Sequence, residues 1–187
     1  MLAIFRKEVN GFFSSLTGYI VIIVFLLINS MFMWVFPGEW NIFDRGYAGL
    51  EPIFFLSPWV FLFLVPAVTM RMIAEEKRLG TIELIYSRPV TERQIVYGKY
   101  IASVALVLLA LLPGLVYYYS VYVLGETPGN LDKGGALGST IGLFFLASVY
   151  ASAGIFASSL TDNQVIAFII AILICFFLFA GFDSFAY

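Results

Sequence analysis

Ser57-Pro-Trp-Val-Phe-Leu-Phe-Leu-Val-Pro-Ala-Val-Thr-Met70, followed at once by Arg71-Met-Ile-Ala-Glu-Glu-Lys-Arg78, is the stretch that decides the fold. Fourteen uncharged, mostly apolar residues run into eight of which five are charged. No helix breaker intervenes before Gly80. The pattern predicts one helix that leaves an apolar medium through Met70 and continues into water as far as Leu79. Ser57 as N-cap and Pro58 at the first helical position predict its start. Pro66 predicts a kink.

Four more apolar runs flank this one. The first spans Gly18–Phe36, nineteen residues without a charge. At ~1.5 Å per residue it reaches about 28 Å, close to a bilayer core. Trp34 and Trp40, with Pro37–Gly38 between them, mark its far interface, and residues 37–56 form a loop. The third run is Ile101–Val123, with Pro113–Gly114 at its middle. Gly125–Gly135 is a loop turning at Pro128–Gly129. The fourth run is Ala136–Ser158. The fifth is Val165–Phe182, behind Thr161 and Gln164 at capping-box spacing. The fold class expected is therefore all-α: a polytopic transmembrane bundle of five spans, with residues 1–187 as a single domain.

Composition agrees. The chain is 61% hydrophobic and 12% charged, against about half apolar and a quarter charged in soluble domains. A water-soluble chain this small could not cover so much apolar surface. There is no histidine, which removes His-based acid–base catalysis and most zinc or haem sites. The one cysteine, Cys175, permits no intrachain disulfide. No basic stripe points to nucleic acid, and no cofactor is implied. The Tyr19–Phe36 run is longer than a signal-peptide core and lacks a small-x-small cleavage site, so it reads as a retained span.

Ahead of it, Leu2, Phe5, Val9, Phe12, Phe13 and Leu16 recur at helical spacing, with Arg6, Lys7, Glu8 and Asn10 opposite. Residues 2–16 read as an interfacial amphipathic helix; the alternative is the first turns of the first span. Lysine and arginine set the orientation. With the N-terminus inside, the inner segments hold Arg6, Lys7, Arg71, Lys77, Arg78, Arg88, Arg93 and Lys99, and the outer loops only Arg45 and Lys133. This eight-to-two bias puts residues 71–99 in the cytoplasm.

The five runs as bounded contain no Asp, Glu, Lys or Arg. Ion-coupled transporters keep such groups at mid-membrane despite a cost of at least ~2.5 kcal/mol each. Their absence implies that energy arrives from a partner, and it disfavours a secondary transporter, a channel or an intramembrane enzyme. In the fourth run Gly138 and Gly142, Ala147 and Ala151, then Gly154 and Ser158 form a row of small residues suited to close helix packing, within the bundle or at a subunit interface. Asn29 is expected to hydrogen-bond a neighbouring helix, and Cys175 to act as a small apolar residue.

The polar segment Glu75–Lys99 reads as helix, break, helix, break, helix. Gly80 suits a left-handed cap. Thr81 would cap a short helix through Tyr86, with Ile82, Leu84 and Ile85 needing cover. Pro89 would stop it, and Thr91 with Gln94 would start the helix leading into the third span. Two membrane helices joined by a short transverse helix make a handle for a moving partner; a merely solvated loop is the other reading.

The pattern Glu75-Glu76-x-Arg78-x-Gly80-Thr81-x-Glu83-Leu84, then Pro89-Val90-Thr91, then Ile95-Val96-x-Gly98-Lys99, resembles the signature of ABC-2-type transporter permeases. Thr17-Gly-Tyr-Ile20, Pro58–Ala67, Met70-Arg71 and Phe156–Gln164 resemble the gliding-motility-associated permease subunit within that family. The resemblance implies a bacterial inner-membrane protein whose coupling helix contacts a cytoplasmic ATP-binding subunit. Residues 81–88 would dock, and Glu75, Glu76, Arg78, Gly80, Thr81, Glu83, Leu84, Arg88 and Pro89 would form the coupling segment. It also implies a second permease half, identical or not, and an auxiliary membrane subunit. Such permeases have six spans, so a chain of five lacks the last helix and would leave its C-terminus outside. No GxxxxGK[ST] loop occurs, so ATP would bind a partner chain and not this one. The alternative function is a scaffold that anchors a larger machine and transports nothing.

Overall fold

The computed structural model describes residues 1–87, 89–125 and 131–185, the side chains of Thr17 and of residues 182–185 excepted. Every regular element among them is helical. α1 (Leu2–Ser14) is divided from α2 (Leu16–Ser30) by Ser15, whose backbone is extended at φ −101°, ψ 144°. That break makes α1 a helix of its own rather than the foot of the first span. α2 passes into a π-helical turn at Met31–Val35. α3 (Ile42–Arg45), α4 (Glu51–Thr69), α5 (Arg71–Arg78), α6 (Thr81–Tyr86) and α7 (Glu92–Leu111) follow. A 3₁₀ turn at Leu112–Gly114 leads to α8 (Leu115–Leu124), then α9 (Lys133–Leu160) and α10 (Gln164–Phe185). Five helical stretches are long and apolar enough to cross a membrane: Gly18–Val35, Glu51–Arg78, Glu92–Leu124, Lys133–Leu160 and Gln164–Gly181.

Several boundaries correct the sequence reading. The second span begins at Glu51–Pro52, and Ser57 and Pro58 lie inside it. Ser57 is fully buried and its hydroxyl has no partner among the described residues, so it caps nothing. Seen alone, an internal Ser-Pro pair looks the same as a helix start. The second span runs on through Met70, whose backbone is helical and whose N–H donates to Pro66 O at 2.8 Å, and it continues to Arg78 as the sequence predicted, with only a local irregularity at Met70. The cap of α10 is Asn163, whose Oδ1 accepts from Val165 N–H; Thr161 Oγ1 serves Asn163 N–H instead. The loop after α8 ends earlier than expected, because Asp132 caps α9 through Gly135 N–H at 2.9 Å. The turn at Pro128–Gly129 falls outside the described residues.

α9 is the central pillar, packed on α4, α7 and α10, while α4 also packs on α2. Phe25 of α2 stacks on Phe61 of α4 with ring centroids 5.1 Å apart, and Val65, Leu106, Tyr150 and Ala151 fill the core beside them. The closest approach of α4 and α9 is at Gly154. A methyl there would meet the Thr69 side chain, whose Cβ lies 2.9 Å away and whose Oγ1 is nearer still. The exterior carries Leu27, Phe63, Leu108, Phe145, Leu173 and Phe177. An apolar outside over a tightly packed inside is stable when lipid is the solvent.

Candidate functional site

Most of the charged residues lie at the end of the bundle that bears the N-terminus. Here α4 gives way to α5, and the junction is held by one side chain from α9. Ser158 is fully buried. Its hydroxyl donates to Met70 O at 2.8 Å and accepts from the N–H groups of Ile73 and Ala74, each at 3.0 Å. Those N–H groups lie in the first turn of α5, so one hydroxyl grips the start of that helix. Lys77 of α5 donates to Ser159 O, a second tie to the end of α9.

α5 ends at Gly80, left-handed at φ 67°, a conformation that costs other residues ~1 kcal/mol or more. α6 then spans Thr81–Tyr86, the short helix the sequence predicted. The cap is different: Gly80 holds the N-cap position, and Thr81 turns its hydroxyl back to Glu76 O. Thr91 and Gln94 form a reciprocal capping box at the start of α7. Of the apolar residues expected to need cover, Ile82 packs against the core and Ile85 is half-buried, while Leu84 is 67% exposed, beside Leu79 at 61% and Tyr86 at 53%. Arg78, Glu83 and Pro89 are exposed too, and Arg88 lies outside the described residues.

Beneath the elbow lies a cluster of charges that sequence reasoning did not assemble. Lys99, in the second turn of α7, is fully buried. Its ammonium donates to Glu8 Oε1 of α1 at 2.7 Å and to Met72 O of α5 at 2.5 Å. It also lies 2.9 Å from Glu76 Oε2, an ion pair out of hydrogen-bond line. Glu76 Oε1 accepts from Lys7 of α1. One cation thus joins α1, α5 and α7, and the two carboxylates answer it, with Lys7 at the rim. An isolated charge this deep would be prohibitively costly; a paired and hydrogen-bonded one persists. The polar side of α1 therefore does not simply face water. Lys7 and Glu8 turn onto the elbow, and Arg71 donates to Ser15 Oγ at the α1–α2 break at 3.1 Å. Gly98 lets α1 in, since a methyl there would sit 3.2 Å from Ile4 Cβ. Between α1 and the elbow remains an open cavity of about 760 Å³, with Glu75 on its wall. Glu8 and Glu76 are 68 positions apart (76 − 8), so nothing local pairs them. The available signal was Lys99 at the edge of an apolar run, where a cation needs an anion from elsewhere.

The small-residue row of α9 divides. Ala147, Ala151, Gly154 and Ser158 are buried in the bundle. Gly138 and Gly142 are exposed, and a methyl on either would meet nothing within 4 Å. Asn29 bonds its own helix, Nδ2 donating to Phe25 O at 2.8 Å, rather than a neighbour. Cys175 is buried against Tyr150.

A helical bundle with five candidate spans, charges confined to its two ends and an apolar exterior is a multi-pass membrane protein. Residues 51–187, most of the chain, match the model of the ABC-2 family transporter protein, and the chain belongs to that family. No curated protein and no solved structure matches it. Family membership makes the chain a permease subunit of an ABC transporter, a transport subunit that is not itself catalytic. It also implies an ATP-binding partner.

Proposed function

We propose that this chain is one permease half of an ATP-driven exporter and that its elbow is the docking point for a cytoplasmic ATPase. The observation that carries the reading is the exposed apolar edge of α6, Leu84 foremost, held at the tip of two helices that continue into spans. Exposed leucine on a short, firmly anchored helix suits a protein partner. The positive-inside bias supports placing this end, and with it the N-terminus, in the cytoplasm of a bacterial inner membrane. ATP-driven closure of the ATPase would push α6. The buried Lys99 cluster would make α1, α5 and α7 move together, tilting the second and third spans against α9. A second permease half, identical or not, completes the transporter in this reading, with an auxiliary membrane subunit beside it. The link to gliding motility rests on the sequence stretches resembling that subunit; deletion of the chain in a gliding bacterium should abolish spreading.

The test is co-purification with the ATPase expressed alongside. Replacing residues 81–88 should abolish association while the bundle still folds. Association that survives the replacement would overturn the docking role. A complex that forms yet moves no substrate in ATP-loaded vesicles would favour a scaffold.

A further inference from the structure

At the far end of the bundle from the elbow, a second cavity of about 330 Å³ lies where two spans lose regularity. α2 becomes π-helical at Met31–Val35, and the third span breaks at Leu112–Gly114. Below the break α7 packs closely on α9; above it α8 meets α9 only sparsely, near Ala136. The space so opened is walled by Phe25, Phe54, Leu111, Tyr117, Tyr118 and Leu143, and no charged residue among the described ones lines it. Its polar groups are largely spoken for. The Tyr117 hydroxyl donates to Leu26 O at 2.6 Å and pairs with Ser30 Oγ, and Thr140 donates to Ala136 O at 2.8 Å. Water or an ion would find few partners there, and apolar cavities of this kind stay dry.

We propose that this cavity takes the acyl chain of a membrane amphiphile, and that an amphiphile is the substrate class of the exporter. The second clause rests on the permease reading; the first does not. Four observations point to an acyl chain. The volume reaches the ~300 Å³ of a small-ligand site and is about twice the ~150 Å³ that accepts benzene. One helical turn, ~10–12 Å across and ~5.4 Å high, fills on the order of 400–600 Å³, so a partner helix cannot enter. Leu115 and Leu137 on the wall, and Ile141 beside it, are strongly exposed, so the mouth faces the lipid phase. At that depth the lipid phase consists of acyl chains. Gly114, on the wall, provides the means to test this. Its backbone is right-handed helical, and a Cβ there would meet nothing within 4 Å. A large side chain at this position therefore fills space without forcing the fold.

The experiment uses the full chain in phosphatidylcholine nanodiscs holding a minor, varied fraction of a single-chain fatty acid with a diazirine near the end of its acyl chain. After irradiation the adducts are mapped by mass spectrometry. Adducts on Phe54, Tyr117 and Tyr118 should saturate as the labelled lipid fraction rises. Those on the exposed Leu173 and Phe177 of α10 should rise linearly, as bulk lipid does. Gly114→Phe should lower the cavity adducts severalfold, because the ring takes up part of the space the chain would fill, and leave the α10 adducts unchanged. Thr140→Phe, on the opposite wall, is the second filler should the first misfold. Cavity adducts that rise linearly in the unaltered protein, or that survive both fillers in folded protein, would overturn the inference. No ATPase is present, so that result leaves the docking elbow untouched. An acyl site that forms but does not respond to ATP in the assembled transporter would overturn only the substrate assignment.

Discussion

Replacing Lys99 by methionine keeps the length of the side chain and removes its charge. Two carboxylates then lose their shared cation: Glu8, 15% exposed at its side chain, and Glu76, 9% exposed. Breaking a buried ion pair from one side costs about 3–5 kcal/mol, because the remaining charge is stranded. Two features pull the figure toward the lower bound. Lys7 still reaches Glu76 Oε1 from the rim, and Glu8 has a partial path to water. We expect a loss of about 3 kcal/mol, roughly 6–12 °C in the unfolding midpoint of a chain this size. Lys7→Met gives the internal comparison. Its side chain is 57% exposed, so its pair contributes only about 0–1 kcal/mol. A triple variant, Lys99→Met with Glu8→Gln and Glu76→Gln, removes the stranded charges and should recover most of the loss, since a buried ion pair and a neutral replacement are often near equal in stability. The assay is thermal unfolding of the purified protein in detergent, followed by tryptophan fluorescence. A Lys99→Met midpoint no lower than that of Lys7→Met would refute the buried-cluster reasoning. So would a triple variant as unstable as Lys99→Met alone.

Ser158→Ala should cost about 1–3 kcal/mol by removing the hydroxyl that accepts from Ile73 and Ala74 N–H and donates to Met70 O, and hydrogen exchange at those two amides should rise selectively. Gly154→Ala, which drives a methyl into Thr69, should cost about 1–3 kcal/mol in the same unfolding assay, and the double variant with Thr69→Ala, which removes the hydroxyl the methyl meets first, should restore part of it. Leu84→Ala should leave the unfolding midpoint unchanged, because the side chain is already exposed, yet weaken co-purification of the ATPase by about tenfold or more, the loss of a central interface residue at ~2 kcal/mol.

The features legible in the sequence were those that depend on neighbours in the chain. The five spans follow from apolar runs, α6 from Gly80 and the residues after it, and the α7 start from Thr91 and Gln94, each within about four residues of its cause. Boundaries failed where a local signal had two physical meanings. Ser57–Pro58 has the chemistry of a helix start, and only the earlier Glu51–Pro52 turn shows that α4 is already under way. Thr161 and Asn163 can both cap, and the geometry of the turn chose Asn163. What the sequence could not yield was the partner of Lys99. A cation beside an apolar run reads equally well as an interfacial anchor or as half of a buried pair, and the choice depends on where α1 folds back. Gly98 was a second clue, since it opens α7 to Ile4, but its meaning appears only once the two helices are seen together.

The position of the Lys99 cluster bears on how a push on α6 could travel. A six-residue helix has little internal rigidity of its own, and Gly80 at its base is a flexible joint. Without further ties, motion of α6 would be lost in that joint. The structure supplies ties one turn beyond it: Glu76 and Met72 on the α5 side and Lys99 on the α7 side, joined by the same ammonium group. A push that enters at α6 therefore reaches α5 and α7 together despite the joint. On the exporter reading the ATPase moves α5 and α7 as one body, and Ser158 ties that body to α9 through Met70 O. This assigns different failures to the two sites. Loss of Lys99 should uncouple a docked ATPase, giving hydrolysis without transport in whatever fraction still folds. Loss of Leu84 should prevent docking and leave both activities absent from the complex. A Lys99→Met transporter that folds, docks and exports at the rate of the unaltered protein would show that force reaches the spans through the Gly80 joint after all.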